Sequence, residues 1–157
     1  PAYKDNSPIV SATDRCNMVK LAIKPFDYMS LSTIETDRPG NTYTADTLAQ
    51  IYDSYKKIYF IIGADSLLYI QDWYHPEYIC SHCHLLCANR DNNSASVLID
   101  QKHFLADKYG AVIDFIDVPE LPYSSTDIRK KVAMGLSVKE DVGEEVEEYI
   151  KSRKLYV

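Results

Sequence analysis

Ile58 to Ile62 is a continuous apolar run followed by turn residues, a pattern that predicts a strand buried on both faces of a parallel sheet. Gly63-Ala64-Asp65 ends it. His84 to Ala88 has the same short buried character and predicts a second strand, and Ala111 to Val118 predicts a third. Helical stripes flank and separate them. Ser11-Ala12-Thr13-Asp14 resembles a capping box with Asp in place of Glu, and Met18, Leu21 and Ala22 stripe the helix it opens. Tyr28 to Thr36 alternates, with Met29, Leu31 and Thr33 against Ser30, Ser32 and Ile34, and predicts a further strand. Asp37-Arg38-Pro39-Gly40-Asn41 is turn chemistry, after which Thr44 is placed to cap a helix carrying Leu48, Ile51, Tyr52 and Tyr55. Helical segments at Ser66 to Ile70 and Pro76 to Cys80 precede the His84 strand, and Ser94 to Tyr109 follows it, closing at Gly110. Ser125 to Met134 is a helix stopped by Gly135, and Gly143 to Leu155 is a terminal helix, acidic first and basic later, as the macrodipole favours.

Strands alternating with helices at this spacing imply an α/β fold with a parallel sheet covered on both faces. No repeat, low-complexity tract or interior linker interrupts it, so residues 1–157 read as one domain. Ligands of such sheets bind at the carboxyl ends of the strands. Three features gather at that edge: Gly63-Ala64-Asp65, Ala88-Asn89-Arg90 and Ser124 to Arg129.

Of these, Tyr123-Ser124-Ser125-Thr126-Asp127-Ile128-Arg129 carries the most chemistry. Consecutive hydroxyls followed by Asp127, Arg129, Lys130 and Lys131 read as a helix N-terminus, where unpaired N–H groups and the positive dipole end face an anion. Arg129 falls within the first turn or two, close enough for its guanidinium to grip the same phosphate that Ser124, Ser125 and Thr126 hold. An ordinary capping motif with a solvated basic face fits this segment equally well.

Composition narrows the partners. The 157 residues are 46% hydrophobic and 25% charged, ample for a soluble core, and the formal charge of -6 argues against nucleic acid as the main partner. No apolar run reaches the ~20 residues needed to span a bilayer and no charged-then-apolar leader is seen, so a cytoplasmic location without membrane partners is expected. Cys16, Cys80, Cys83 and Cys87 then read as reduced thiols. Cys80-Ser81-His82-Cys83-His84 matches the C-x-x-C-H pattern of c-type haem attachment, and with His82, His84 and Cys87 it can be drawn as a zinc site. Against both, the His84 strand sends alternate side chains to opposite faces, and a second ligand pair at finger spacing is absent. No protein-held metal is therefore assigned.

Thr42 to Leu48, Phe60 to Ser66, Trp73, Ala88-Asn89-Arg90 and Ser124 to Arg129 together resemble the ordered motif series of bacterial nicotinate-nucleotide adenylyltransferases. Pro1-Ala2-Tyr3-Lys4 is similar to the Pro-Pro-His-Lys loop of that family, and the likeness runs on to Tyr149-Ile150 and Leu155-Tyr156. The resemblance implies a Rossmann-like, doubly wound sheet of nucleotidyltransferase type. It also implies transfer of AMP from ATP to nicotinate mononucleotide with Mg²⁺, giving deamido-NAD and pyrophosphate in NAD biosynthesis. Such chemistry needs positioning and charge neutralisation and no covalent nucleophile.

By that resemblance Ser124, Ser125, Thr126 and Arg129 hold the ATP phosphates, with Ser125 and Arg129 catalytic. Gly63 and Asp65 face the nucleotide sugar, and Ala88, Asn89 and Arg90 lie near the adenine. Tyr43, Thr44, Trp73 and Lys4 meet nicotinate mononucleotide, Trp73 by stacking and Thr44 through its backbone N–H to the carboxylate. Each has a plainer alternative: Trp73, the single tryptophan, as a plug at the core edge; Tyr43 and Thr44 as a strand end and a helix cap; Asp65 as a cap of its own helix; Arg90 paired with Asp91 or Asp72.

Departures from the family pattern stand beside these matches. The family's glycine-rich turn with Thr-Phe-Asp-Pro and its His-x-Gly-His pair have no counterpart, since His75, His82, His84 and His103 lack that spacing. The expectation is a fold incomplete at its N-terminus by a strand, a helix and a strand, on the order of 30 residues. Such a fragment is expected to be inactive alone, with open strand edges that favour association, a homo-oligomer included. Tyr123 stands where the family usually has an aliphatic residue. Nicotinamide-mononucleotide and phosphopantetheine adenylyltransferases share the Ser-Ser-Thr-x-x-Arg logic, and Tyr43-Thr44 with Trp73 separates them from the nicotinate enzyme. A non-catalytic thiol or metal-binding module on Cys80, Cys83, His84 and Cys87 is the reading from another class.

Overall fold

A computed structural model of the chain describes residues 10–89, 95–119 and 123–157. In chain order the described residues form α1 (Ala12–Ile23), α2 (Thr44–Ile51), β1 (Tyr59–Gly63), α3 (Ala64–Leu68), α4 (Pro76–His82), β2 (His84–Asn89), α5 (Ala95–Tyr109), β3 (Val112–Asp117), α6 (Ser125–Ala133), α7 (Lys139–Val142) and α8 (Glu144–Ser152). Short 3-10 turns occupy Tyr52–Ser54 and Ile70–Asp72. These elements fall into two compact units, one of residues 38–120 and one of residues 1–37 with 121–157.

The unit of residues 38–120 is built on the parallel sheet that the apolar runs predict. The strands lie in the order β1-β2-β3, with Phe60 opposite Leu85 and Leu85 opposite Ile113. That row and the next place Ile62, Leu85, Cys87 and Ile113 on one face, where they join Leu48, Leu67, Ile70, Ile79, Leu98 and Leu105 of the helices and turns. Fully burying a Leu or Ile side chain contributes about 1.5–3 kcal/mol, so this cluster is the main stabilising feature of the unit. Gln101 Nε2 ties α5 to the end of α3 by donating to the Leu67 carbonyl at 3.0 Å.

Coverage is one-sided within this unit, unlike the two-faced burial expected from the apolar runs. The other face shows Tyr59, Ile61 and Val112, with Ile61 65% exposed. When strands add in sequence order, crossovers of a single hand return every connecting helix to the same face.

The other unit is helical in its described residues. Val132, Val138, Val146 and Ile150 form its core, with Met18 and Leu21 of α1 packed against them. Glu147, buried at 6% exposure, accepts from the Ser137 hydroxyl at 2.6 Å and the Val138 N–H at 2.8 Å, which fastens the start of α7 to α8.

Two expectations are corrected here. Tyr28 to Thr36 is not a strand: Thr33, Thr36 and Asp37 satisfy one another locally, with the Asp37 N–H and the Thr36 hydroxyl both donating to the Thr33 carbonyl at 2.9 Å. Such local side-chain bonds compete with a ladder, and Tyr28 and Met29 are left exposed. Thr44 does not cap α2 but is its first residue; Tyr43 occupies the cap position, with no side-chain bond.

Candidate active site

Of the three segments expected at the carboxyl edge of the sheet, two belong to its strand ends and the third, Ser124 to Arg129, lies in the other unit. Gly63 ends β1 directly opposite Ala88, and Asn89 at the end of β2 lies opposite Asp117. Gly63 has an ordinary extended backbone, φ -80°, and a Cβ built there would meet nothing within 4 Å. Neither strain nor packing therefore demands a glycine, and the bare backbone leaves room for a ligand at this edge. Asp65 stands exposed in the first turn of α3, and the cap alternative fails because that helix start carries no side-chain cap bond. Arg90 and Lys4, with the alternative pairing of Arg90, lie outside the described residues.

Tyr43, Thr44 and Trp73 come from two segments of the same unit. The first four N–H groups of a helix have no intrahelical partner, and at α2 no side chain caps them, so the Thr44 N–H stands among groups that want an external acceptor. Trp73 is partly buried, with its ring edge-on to Phe60 at 6.3 Å, which is the core-edge contact of the plainer alternative. The Tyr43 ring packs on Tyr74 at 4.5 Å. Sequence reasoning passed over Tyr74 and also Arg38, read there only as a turn residue. The Arg38 guanidinium lies at the first turn of α2, donating to Thr47 Oγ1 at 3.4 Å with Asp46 at 3.7 Å. A cavity of about 570 Å³ opens beside α2, α4 and the end of α5. Its rim sets Asp46 and Glu77 against Lys108, a mixture with no preference for phosphate.

In the other unit, Ser124 is the N-cap of α6. The Asp127 N–H donates to its Oγ at 3.1 Å, and its hydroxyl donates back to Asp127 Oδ2 at 2.6 Å. This bond, with Lys130 and Lys131 nearby, holds the Asp127 carboxyl below its ordinary value. Ser124 is therefore committed to the cap, while the exposed Ser125 and Thr126 lie beside the first-turn N–H groups. Arg129 reaches back over this turn and donates from Nη2 to Thr126 Oγ1 at 3.3 Å. Hydroxyls, N–H groups and a guanidinium thus converge at one helix start, an arrangement suited to phosphate oxygens.

The cysteine cluster packs as core. Cys80, Cys83 and Cys87 are buried, and burial pushes the Cys80 thiol up to about 11 and the Cys83 thiol up to about 12. Cys83 donates to the Ile79 carbonyl at 3.1 Å. His84 projects from the opposite face to Cys87, stacked on Tyr59 at 5.1 Å with Nε2 3.0 Å from Asp114 Oδ2. Among the described residues no three His, Cys, Asp or Glu side chains group to hold a metal, and no helix is long and apolar enough to cross a membrane.

Comparison with known proteins agrees with this geometry. The cytidylyltransferase-like family matches residues 1–131. The probable nicotinate-nucleotide adenylyltransferase of Lachnoclostridium phytofermentans is 35% identical over 159 residues, spanning 100% of this chain and 80% of that protein. Its counterpart from Moorella thermoacetica is 36% identical, over 99% of this chain and 73% of that protein. Among solved structures, Plasmodium falciparum nicotinic acid mononucleotide adenylyltransferase complexed with APC superposes with a TM-score of 0.71 at 18% identity, covering 94% of this chain and 77% of that one. The same enzyme complexed with NaAD gives 0.72 at 17% identity, covering 98% and 78%. The fold is thus the α/β nucleotidyltransferase fold, and the chain belongs to the cytidylyltransferase-like family, among the nicotinate-nucleotide adenylyltransferases.

Proposed function

We propose that the protein transfers the adenylyl group of ATP to nicotinate mononucleotide, releasing pyrophosphate and forming deamido-NAD for NAD biosynthesis. A phosphate oxygen of nicotinate mononucleotide attacks the α-phosphorus, the new P–O bond forms, and the bond to the departing pyrophosphate breaks. The observation that carries the reading is the 35% identity along the whole chain to a relative bearing that name. Geometry supports it through the Arg129–Thr126 contact at the start of α6, which gathers donors for a triphosphate.

Residue by residue, Ser125, Thr126 and Arg129 take the phosphates, with Ser125 and Arg129 meeting the group in transfer and Ser124 holding the helix start. Gly63 and Asp65 face the sugar, Ala88, Asn89 and Arg90 the adenine, and Tyr43, Thr44, Trp73 and Lys4 the nicotinate nucleotide. The α6 donors suit phosphate oxygens and not a cation, so Mg²⁺ fits here as a passenger on ATP, held by substrate phosphates with few protein carboxylates. When bound it neutralises charge on the triphosphate. We take residues 1–157 as parts of one nucleotidyltransferase domain acting in the cytoplasm, where ATP is supplied.

Adenylyl transfer by the full-length gene product with ATP and Mg²⁺ tests the reading. Turnover is expected with nicotinate mononucleotide and more weakly with nicotinamide mononucleotide. Preference for nicotinamide mononucleotide or phosphopantetheine would move the protein to another branch of the superfamily, and silence with all three acceptors would sink the assignment.

A further inference from the structure

A row of rings sits between the two segments offered for the nicotinate end. Tyr43, at the cap of α2, has its ring 4.5 Å from that of Tyr74 at an interplanar angle of 34°. Tyr74 in turn meets the His75 ring edge-on at 4.1 Å, and His75 Nδ1 lies 2.9 Å from Glu77 Oε1. The residue that follows Trp73 in sequence therefore touches the residue that precedes Thr44.

Two observations separate this row from core packing. Tyr43 and Tyr74 are 40% and 47% exposed and stand outside the apolar cluster against which Trp73 packs. His75 adopts φ 51° and ψ 60°, a left-handed conformation that a residue with a side chain keeps only when its surroundings hold it there. Half-exposed rings ending on a strained residue bury little surface; what they fix is direction.

We propose that Tyr74 is a positioning residue for the nicotinate end: its ring braces Tyr43 and the start of α2 against the Trp73–His75 turn, and so sets the spacing between the Trp73 ring and the Thr44 N–H. This rests on the reading of Tyr43, Thr44 and Trp73 as that end. A flat aromatic carboxylate must satisfy its face and its charged edge at once, and an error in spacing weakens both contacts together. ATP makes neither contact.

Kinetics and fluorescence of the full-length gene product test the brace. Trp73 is the single tryptophan of these 157 residues, and quenching by nicotinate mononucleotide that is present in the unaltered protein and lost in Trp73→Ala reports binding at that ring. Tyr74→Ala is expected to raise the KM for nicotinate mononucleotide and the Kd from quenching about tenfold, the scale of one lost aromatic pair, while kcat and the KM for ATP stay within about twofold. Tyr74→Phe keeps the ring and restores both values. An unchanged acceptor KM in Tyr74→Ala, an equal loss for both substrates, or no rescue by Phe overturns the proposal. Two further variants test the underlying reading separately. Thr44→Pro removes the N–H, with the Thr side chain, at the first helical position, where proline is tolerated, and the extended Tyr43 backbone, φ -120° and ψ 140°, accepts a following proline. If Thr44→Pro and Trp73→Ala leave the acceptor KM unmoved, the nicotinate-end reading fails, and the brace with it. If they raise it and Tyr74→Ala does not, only the brace fails.

Discussion

Helices α1 and α6 begin with nearly the same four residues, Ser11-Ala12-Thr13-Asp14 and Ser124-Ser125-Thr126-Asp127, and both close the same reciprocal cap. Their surroundings differ. Asp14, with its side chain 13% exposed, accepts from the Tyr149 hydroxyl at 2.9 Å and lies 3.5 Å from Arg153 Nε, so the start of α1 is tied into its unit. Asp127, at 65%, has partners among the described residues only on its own helix and cap, and Arg129 is turned back over Thr126. A Ser-x-Thr-Asp start is therefore no sign of function by itself. Among the described residues, what distinguishes α6 is a cation bonded only to a hydroxyl of its own first turn, beside open N–H groups.

The sharpest way to break this comparison is to remove the cation beside each helix start. Arg129→Ala is expected to lower kcat/KM for adenylyl transfer on the order of a thousandfold, as loss of a guanidinium that meets developing phosphate charge does. Its Tm is expected to stay within roughly two degrees, since among the described residues its one hydrogen bond is to Thr126. Arg129→Lys recovers little, because an ammonium lacks the bidentate fork. Arg153→Ala removes a surface ion pair of about 0–1 kcal/mol and leaves turnover intact. Equal activity in both Ala variants would place the triphosphate elsewhere.

The contrast also separates what was legible in the sequence from what was not. Both capping boxes were visible because a cap is settled within four residues, and the three strands because apolar runs flanked by turn residues leave few alternatives. Tyr28 to Thr36 misled because its apolar side is short, only Met29 and Leu31 before Thr33, and its threonines bonded locally. Helix α7 was not read from the sequence, since the N–H of its cap residue Val138 is accepted by Glu147 from α8. At the candidate site, Arg129 was legible from position alone. Tyr74 and His75 were not, because a stack joining residues of separate segments and a left-handed backbone leave no mark on periodicity.

Helix α7 supplies a third kind of start in the same unit, one whose acceptor is borrowed. The Glu147 carboxylate is bonded by Lys151, by the Ser137 hydroxyl and by the Val138 N–H, and these hold it at about 2 against an ordinary 4.5. A depressed carboxyl contributes stability that is complete above its unfolded value and is lost as pH falls through its folded value. The urea midpoint is therefore expected to hold from neutrality to roughly pH 5 and to fall as acid passes from about 4.5 toward 2. In Glu147→Gln the midpoint is lower at neutral pH and the fall through that window shallower, leaving what Asp14 and Asp127 contribute. An acid limb identical to that of the unaltered protein would show that the borrowed cap carries no charge-dependent stability.

The smallest effects come from the caps themselves, and they decide whether α6 differs from α1 in more than surroundings. Ser11→Ala and Ser124→Ala each remove one acceptor for a first-turn N–H, which costs about 1 kcal/mol and lowers Tm by roughly 2–4 °C in a chain of this size. Stability alone does not separate them. In Ser11→Ala the KM for ATP is expected to stay unchanged, because no residue at the start of α1 is among those proposed to bind a substrate. In Ser124→Ala the Asp127 carboxylate, an anion in both proteins, loses the hydroxyl that fixes its position and keeps only Lys130 among the described residues, at a helix start proposed to receive a triphosphate. Like charge then raises the KM for ATP several-fold, on the order of 1 kcal/mol of repulsion between partly screened groups. Raising the ionic strength should narrow that difference, since a Debye length of about 8 Å at physiological salt shortens further. A Ser124→Ala enzyme with unaltered ATP binding at low and high salt would make the start of α6 an ordinary cap like its twin, and the phosphate reading would lose its footing there.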